Sequence, residues 1–275
     1  YGAIPCTEML PRQIRMVLNI PNVSLTTIKR RLVGFDLNGR RPAQKPSLTD
    51  THKEARLEFA TRHSGDQYDW SDVVFSDESI VCSSEHGVQW VRRPRNKRWE
   101  EKYIAANTRA GRVSISVWGM IMQEGAGPLV RVDGRMDSRQ YVRAILEPHV
   151  IPYFDDHPRR IYMQDNASIH KSQISMRCLR NGNVTVLPWP AKSPDLNPIE
   201  NYWAEMKREL GDVGVLGRPG RGGGGATGRK DHLWQKTLTA WDTLKTQQDK
   251  VRRLYDSMPN RMQCVMDSNG GATRY

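Results

Sequence analysis

Three acidic side chains occupy positions from which carboxylates can carry out metal-assisted chemistry. Asp77 follows an apolar run at 73–75. Asp165 follows another short run, at 161–164, and Glu200 opens a helix after a proline-rich loop. A carboxylate at the carboxyl end of a strand points into the crevice above the sheet, where the sites of α/β proteins usually lie. Three such groups form a hard-oxygen site for Mg²⁺ or Mn²⁺, whose ions can activate water and stabilise the leaving oxygen of a phosphodiester.

Each acid also has a structural interpretation, which the hydrophobic pattern leaves open. Asp77 is suited to cap the turn that follows it, and Asp165 with Asn166 is suited to an Asx-turn. Glu200 lies three residues after Asn197 with a proline between them, which is the pattern of a helix capping box. Because periodicity does not distinguish capping from catalysis, the surrounding sequence must decide. A fourth acid nearby, Asp195, is interpreted as a turn residue.

Strands and helices alternate through the middle of the chain and predict a layered domain around the three acids. Predicted strands cover 73–75, 113–122, 129–132, 161–164 and 184–187, and predicted helices cover 138–149, 170–181 and about 199–210. A mixture of this kind indicates an α/β or α+β fold with a sheet layer. Two further helices are predicted nearer the start of the chain, at 28–32 and at 52–63, both among basic residues.

Three sequence blocks closely resemble the signature blocks of the Tc-one-like branch of the mariner superfamily of cut-and-paste DNA transposases. They are residues 74–79 (VFSDES), 162–170 (YMQDNASIH) and 189–203 (WPAKSPDLNPIENYW). Counting from Asp165 to Glu200 leaves 34 residues, the spacing that this branch uses for its DDE triad. The order of the three blocks, the residues that flank each acid and the spacing all resemble those of this family. The resemblance runs from about residue 23 to 210 and resumes from about 241 to 275.

The resemblance implies a fold, an activity and a set of catalytic residues. The implied fold is an α/β ribonuclease H-like mixed sheet flanked by helices and preceded by a partial helix-turn-helix. Asp77, Asp165 and Glu200 fall on the catalytic triad and would hold two Mg²⁺ ions, for which Mn²⁺ substitutes. The implied enzyme is a DDE transposase, a polynucleotidyl transferase that hydrolyses phosphodiesters at transposon ends and transfers the freed strand. Asn166 and His170, beside the second Asp, are expected to shape the site.

The same resemblance implies double-stranded DNA as the partner, with transposon ends as substrate and a TA dinucleotide as target. It also implies a homodimer and a location in the nucleus. Composition agrees with a polyanionic partner, since 42 Lys and Arg against 30 Asp and Glu give a formal net charge of +12. The predicted DNA contacts are Lys29, Arg30, Arg31, Arg40, Arg41, Trp90, Arg92 and Arg93.

These contacts fall in three segments, each with its own chemistry. Residues 29–31 lie on a predicted helix that can meet phosphates or a major groove. Residues 40–41 resemble a minor-groove arm. Residues 90–93 resemble a loop that in the family helps to hold the dimer and the DNA. For the last two segments, a solvated basic stretch is the structural alternative.

The chain is expected to divide into five parts. These are a partial helix-turn-helix at 1–38, a basic linker at 39–69, the catalytic domain at 70–210, a Gly-rich flexible insert at 211–232 and a helical tail at 233–275. Because relatives carry two N-terminal helix-turn-helix modules, we expect an N-terminally truncated member with weak reading of specific sequences. No apolar stretch approaches the length of a membrane span, and the four cysteines lack zinc-site spacing.

Three functions remain open from the sequence. The favoured one is a DDE transposase or its catalytic remnant. The second is a catalytically inactive, transposon-derived DNA-binding protein, because the Gly-rich stretch replaces a region that is usually helical. The third is a protein-interaction module that binds no DNA, which a steep fall of DNA affinity with salt would exclude.

Overall fold

The structure is a computed structural model. It describes residues 11–37, 45–65, 68–83, 113–212 and 226–275. The chain divides into two compact units, Tyr1–Lys45 and Pro46–Tyr275, which are described separately. In the described ranges, no helix combines the length and the apolar character that crossing a membrane requires.

The described part of the first unit consists of two short helices, α1 (Pro11–Val17) and α2 (Leu25–Gly34). Ser24 caps α2, since its hydroxyl accepts a hydrogen bond from the Thr27 backbone N–H at 3.0 Å. Ile28 is buried on the inner face of α2, and the basic residues that follow it are exposed. The predicted basic helix is therefore confirmed, with its end at Gly34.

In the described part of the second unit, five strands form one mixed sheet. They are β1 (Val73–Cys82), β2 (Ser114–Met122), β3 (Gly125–Val132), β4 (Ile161–Met163) and β5 (Thr185–Val186). The spatial order is β3-β2-β1-β4-β5, in which β1 pairs with β2 and β2 with β3 in antiparallel fashion. β4 is parallel to both β1 and β5. This mixed sheet agrees with the predicted α/β class.

The first strand is longer than its apolar run predicts. The sequence places Asp77 just after the end of the strand, but β1 continues to Cys82. The cause is backbone pairing rather than hydrophobicity, because β2 pairs with β1 from Phe75 to Cys82. β4 pairs with β1 only along 73–75, so Asp77 lies where the parallel neighbour has already ended.

Helices cover both faces of the sheet. In chain order they are α3 (Asp50–Arg62), α4 (Ser138–Tyr141), α5 (Ile151–Asp156), α6 (Gln173–Asn181), α7 (Ile199–Asp212), α8 (Ala226–Lys245), α9 (Gln248–Asp256) and α10 (Met258–Asp267). Nine π-helical residues, Val142–Val150, join α4 to α5 and include Pro148, which has no N–H to donate. Asp137 caps α4, accepting from the N–H groups of Arg139 and Gln140.

One apolar layer lies between the sheet and the segment from α4 to α6, and it includes Tyr141, Leu146 and Leu179. The other layer contains residues of α3 and of α7 to α10. In that second layer a β-carbon on Gly119 of β2 would lie 2.8 Å from Trp203 Cη2. The indole N–H of Trp241 donates to the Gly127 carbonyl at 3.0 Å. This close approach packs the C-terminal helices onto the sheet.

Two predicted connecting segments contain helix. α3, whose helical pattern the sequence predicts, lies inside the expected linker and buries Phe59 and Ala60. Residues 226–232, expected to belong to a flexible insert, form the start of α8. Leu233 and Trp241 of α8 are buried in the second apolar layer, which gives this helix a packed face.

Candidate active site

Strand register and a loop bring the three predicted acids to one edge of the sheet. β1 and β4 are parallel and align Phe75 with Met163. Asp77 and Asp165 each lie two residues beyond this aligned pair, and the charge of Asp165 contributes to the raised pKa of Asp77. Glu200 lies in the first turn of α7. The structure therefore brings the three acids to the same sheet edge.

Asn197 joins the start of α7 to β1. Its backbone carbonyl accepts from the Glu200 N–H at 3.2 Å, and its side-chain oxygen accepts from the Ile199 N–H at 3.4 Å. Its amide nitrogen donates to the Ser76 carbonyl at 3.5 Å. Ser76 directly precedes Asp77, so one buried residue links the first turn of α7 to the first acid. In the predicted capping box the Asn197 side chain would accept from the Glu200 N–H, but it accepts from the Ile199 N–H instead.

Asp77 and Glu200 form a negative pair. Burial and the neighbouring carboxylates of Glu200, Glu78 and Asp165 hold the pKa of Asp77 well above its usual value. Burial also raises the pKa of Glu200, although a hydrogen bond with Asp77 and the charge of Lys207 oppose this rise. The pair concentrates negative charge at one point, and either a proton or a cation would relieve it.

Asp165 is held by a buried histidine. His170 is 2% exposed, and its Nδ1 lies 2.6 Å from Asp165 Oδ1. The hydrogen bond from His170 lowers the pKa of Asp165. On the other side of the ring, Nε2 lies 3.1 Å from Glu78 Oε1. Burial alone would lower the pKa of His170, but the hydrogen bonds to Asp165 and Glu78 raise it to about 9.

A buried network of hydrogen-bonded side chains packs against His170. The hydroxyl of Tyr141 lies 3.0 Å from that of Tyr162 and donates to Gln164 Oε1 at 2.8 Å. The rings of Tyr141 and His170 have centroids 4.6 Å apart. The Ser76 hydroxyl donates to the Tyr162 oxygen at 2.9 Å. The network therefore links β1 and β4 through Ser76 and Gln164, which directly precede Asp77 and Asp165.

Asn166 has a comparable local role. Its side-chain amide donates to the Trp189 carbonyl at 2.7 Å, which ties the residue after Asp165 to the loop that leads to α7. Asp165 Oδ1 also accepts from the Ala167 N–H at 2.8 Å, as expected of an Asx-turn. Asn166 thus contacts the loop before α7, and His170 contacts Asp165 itself. Their role in shaping the site stays a prediction.

The described residues do not present a ready-made metal cage, because no three His, Cys, Asp or Glu side chains among them are arranged to hold an ion. Both hydrogen bonds of Asp165 fall on Oδ1, which turns it towards His170. The donor chemistry nevertheless fits a hard divalent cation, since Asp77 and Glu200 offer neighbouring carboxylate oxygens. Burial, and then the charge of Glu200, raises the pKa of Asp77.

The predicted DNA-contact residues are distributed differently. Lys29, Arg30 and Arg31 are exposed on α2 in the first unit. The remaining ones lie outside the described residues, namely Arg40, Arg41, Trp90, Arg92 and Arg93. Glu78 and Tyr141 also belong to the site, although the sequence did not single them out. Glu78 directly follows Asp77, and this position in the sequence was a signal that could have singled it out. No local sequence feature distinguishes Tyr141 from the other residues of its helix.

Two family models match the chain. One, described as DDE superfamily endonuclease, matches residues 72–214, and another, described as Transposase, matches residues 11–65. The Transposable element Tc1 transposase of Caenorhabditis elegans is 33% identical over 269 residues, which are 95% of this chain and 93% of that protein. The chain belongs to the Tc1-like transposases of the DDE superfamily. The Tcb2 transposase of Caenorhabditis briggsae is 34% identical, with the same 95% and 93% coverage.

Solved structures of more distant transposases share the fold. The Mos1 mariner paired end complex with Mn has a TM-score of 0.68 at 17% identity, over 97% of this chain and 76% of that one. The catalytic domain of Mos1 mariner transposase has a TM-score of 0.56 at 17% identity, over 84% of this chain and 100% of that one. This Tc1-like chain therefore has the predicted mixed sheet flanked by helices.

Proposed function

We propose that this Tc1-like chain is a DNA transposase that cleaves and joins phosphodiesters at the sheet edge carrying Asp77, Asp165 and Glu200. The observation that carries the proposal is the contact between Asp77 and Glu200, where burial and then the charge of Glu200 raise the pKa of Asp77. Hydrolysis and strand transfer both require an activated oxygen nucleophile and a stabilised leaving oxygen at one phosphorus. The neighbouring carboxyl groups of Asp77 and Glu200 supply negative charge for such a site.

The proposed cofactor is a pair of Mg²⁺ ions, for which Mn²⁺ substitutes. Mos1 structures have been solved with Mn and with Mg. Such ions supply Lewis-acid activation of water or a 3′-hydroxyl and charge stabilisation at phosphorus. In this chain, Asp77 and Glu200 would provide oxygens. His170 holds Asp165 through Oδ1 and so orients the other carboxylate oxygen for the same purpose.

The proposed substrate is duplex DNA at transposon ends, with strand transfer into a TA target by a homodimer in the nucleus. Solved Mos1 relatives include a paired-end complex with the left transposon end and a Strand Transfer Complex. The net charge of +12 and the three exposed cations on α2 favour phosphate binding. Arg40, Arg41, Trp90, Arg92 and Arg93 are proposed to extend this surface.

Nicking of supercoiled plasmid tests the proposal. In Mg²⁺ or Mn²⁺ the wild type should convert supercoiled to nicked DNA, and EDTA should stop the reaction. Asp165→Asn should lower the rate by at least about a hundredfold while non-specific DNA binding stays within about twofold, because loss of one charge-stabilising group typically costs this much. Asp256→Asn, at an exposed position on α9, is the matched control and should retain the wild-type rate.

The two remaining hypotheses predict different outcomes in the same experiment. A folded wild type that binds DNA but nicks none, with either metal, would indicate an inactive DNA-binding protein. Loss of both folding and DNA binding in Asp165→Asn would mean that this residue supports the fold. A wild type without salt-dependent DNA affinity would contradict DNA binding altogether.

A further inference from the structure

Arg56 on α3 is a buried cation that the proposed chemistry does not use. Its side chain is 0% exposed, and each of its five N–H donors has an acceptor. The acceptors are Gly270 O (2.9 Å), Ser193 Oγ (2.9 Å), Asp195 Oδ1 (2.8 Å), Asp195 Oδ2 (2.8 Å) and Gly271 O (2.9 Å). This single guanidinium therefore connects α3, the loop before α7 and the C-terminal segment.

Asp195 is the second centre of the same cluster. Its Oδ2 also accepts from the Thr273 N–H at 3.0 Å and from the Thr273 hydroxyl at 2.9 Å. Its backbone carbonyl accepts from Arg261 Nη1 of α10 at 2.7 Å. Asp195 does lie in a turn, as the sequence predicts, but its buried carboxylate is also bonded on both oxygens.

The cluster continues to both sides of Glu200. Asp195 lies in the turn Pro194–Leu196, which leads directly into Asn197, and Asn197 binds the Glu200 N–H and the Ser76 carbonyl. After Glu200, the side chain of Asn201 accepts from Arg261 Nη2 at 2.6 Å. The first turn of a helix otherwise has unsatisfied N–H groups and frays readily. Here the segments on both sides of Glu200 are tied to the buried ion pair.

The C-terminal segment fits closely against α3. Gly270 has a positive φ of +79°, and a β-carbon there would lie 2.0 Å from the Lys53 carbonyl oxygen. Only glycine allows the chain to pass α3 at this distance. The close passage brings the two carbonyls of 270–271 to Arg56 and the Thr273 hydroxyl to Asp195.

We propose that Arg56, Asp195 and Thr273 are positioning residues that hold Glu200 against Asp77. Buried ion pairs contribute little net stability compared with apolar packing, but they fix one geometry. Displacement of a catalytic group by about 1 Å can lower a rate about a hundredfold. The effect on cleavage rests on the proposed transposase function, whereas the effect on the position of Glu200 does not.

Thr273→Val tests the proposal without removing a charge. It deletes the hydroxyl bonded to Asp195 and leaves the backbone N–H in place. Thr273→Ser restores the hydroxyl. Thr237→Val on α8 is the matched control, because Thr237 is also buried and its hydroxyl donates to a backbone carbonyl, that of Leu233, at 2.8 Å. Each variant is compared in single-turnover plasmid nicking, in DNA affinity, and in amide hydrogen exchange of peptides covering 193–203.

Thr273→Val should slow nicking at least about tenfold with DNA affinity unchanged, and it should speed exchange within 193–203. Thr273→Ser should return both quantities towards wild type, and Thr237→Val should change neither. Unchanged exchange in Thr273→Val, or faster exchange with an unchanged nicking rate, would overturn the proposal. An equal effect of Thr237→Val would also overturn it, since a general loss of stability would then explain the data. If the wild type nicks no DNA but exchange responds as expected, the transposase function fails and the positioning of Glu200 stands.

Discussion

At the scale of single residues, the candidate site contains two acids that repel each other, Asp77 and Glu200. A third acid, Asp165, is hydrogen-bonded to His170. Burial and the neighbouring carboxylates raise the pKa of Asp77, and burial raises that of Glu200. Repulsion of this kind lowers the free energy of unfolding, and it favours a bound cation for the same reason. Residues that serve function at the expense of stability are common at active sites.

Asp77→Asn should therefore stabilise the protein while it abolishes DNA cleavage. In metal-free buffer with EDTA at pH 7.5, the substitution removes the charge that Glu200 and Glu78 repel. We expect the free energy of unfolding to rise by about 1 kcal/mol, which corresponds to about 2–4 °C in Tm for a chain of this size. Thermal unfolding followed by circular dichroism measures the shift. A lower Tm would show that Asp77 stabilises the fold, and Asp256→Asn should leave Tm unchanged.

The sequence predicted three acids for the site but not all of their neighbours. Each acid stands in a recognisable sequence motif, and the parallel pairing of β1 with β4 ends two residues before Asp77 and Asp165. Glu78 contacts His170 across 92 residues of chain. Hydrophobic periodicity does not predict such a contact, because the contact depends on how segments far apart in the chain pack together. The role of Glu78 therefore required the structure.

At the scale of elements, the site depends on how β1, α3 and α7 are joined. The apolar run 73–75 predicted a short strand, whereas β1 extends to Cys82 through pairing with β2. Such pairing connects segments far apart in sequence, and local hydrophobicity does not encode it. Arg56 and Asp195 likewise meet across 139 residues. The helical periodicity of α3 was visible, but the buried partner of its arginine was not.

Asp195→Asn should destabilise the fold strongly near neutral pH. Burial alone would raise the pKa of Asp195, but Arg56 and Thr273 hold it below its usual value. Since the folded pKa is depressed, the stabilisation is present above the unfolded value of about 3.9 and is lost as the pH falls through the folded value. We expect a loss of about 3–5 kcal/mol at pH 7, because Arg56 would be left buried without its counter-charge.

Urea unfolding of wild type and Asp195→Asn between pH 7 and pH 3 measures this dependence. The difference in free energy of unfolding should be constant from pH 7 to about pH 5. It should shrink below about pH 4, where the unfolded wild type takes up a proton on Asp195 that the folded state does not yet bind. Asp256→Asn should show no pH-dependent difference of this size. A difference between wild type and Asp195→Asn that stays constant down to pH 3 would contradict the role of this ion pair.

At the scale of the whole molecule, charge and family membership favour DNA as the partner. The chain carries 42 Lys and Arg against 30 Asp and Glu, and the cations of α2 are exposed. Composition predicted a polyanionic partner without any structure, since charge balance does not depend on the fold. The positions of individual DNA contacts do depend on the fold, and they remain predictions.

Removing two of these cations should weaken DNA binding in a salt-dependent manner. Arg30→Ala combined with Arg31→Ala should lower affinity for all sequences alike and reduce the slope of log affinity against log salt by about 2, or about one unit for each phosphate that is no longer neutralised. Fluorescence anisotropy with a labelled duplex at several salt concentrations measures the slope. The matched control combines Arg252→Ala and Arg253→Ala, two exposed positions on α9. Equal slopes for the two double variants would contradict a specific role for α2.

We propose that the three acids at the sheet edge act together in metal-dependent DNA cleavage. Single-turnover plasmid nicking in Mg²⁺ and Mn²⁺ is the measurement to make, with wild type beside Asp77→Asn, Asp165→Asn and Glu200→Gln. We predict cleavage by the wild type and a loss of at least about a hundredfold in each variant, with DNA affinity retained. Wild-type rates in any one of the three folded variants would contradict the claim.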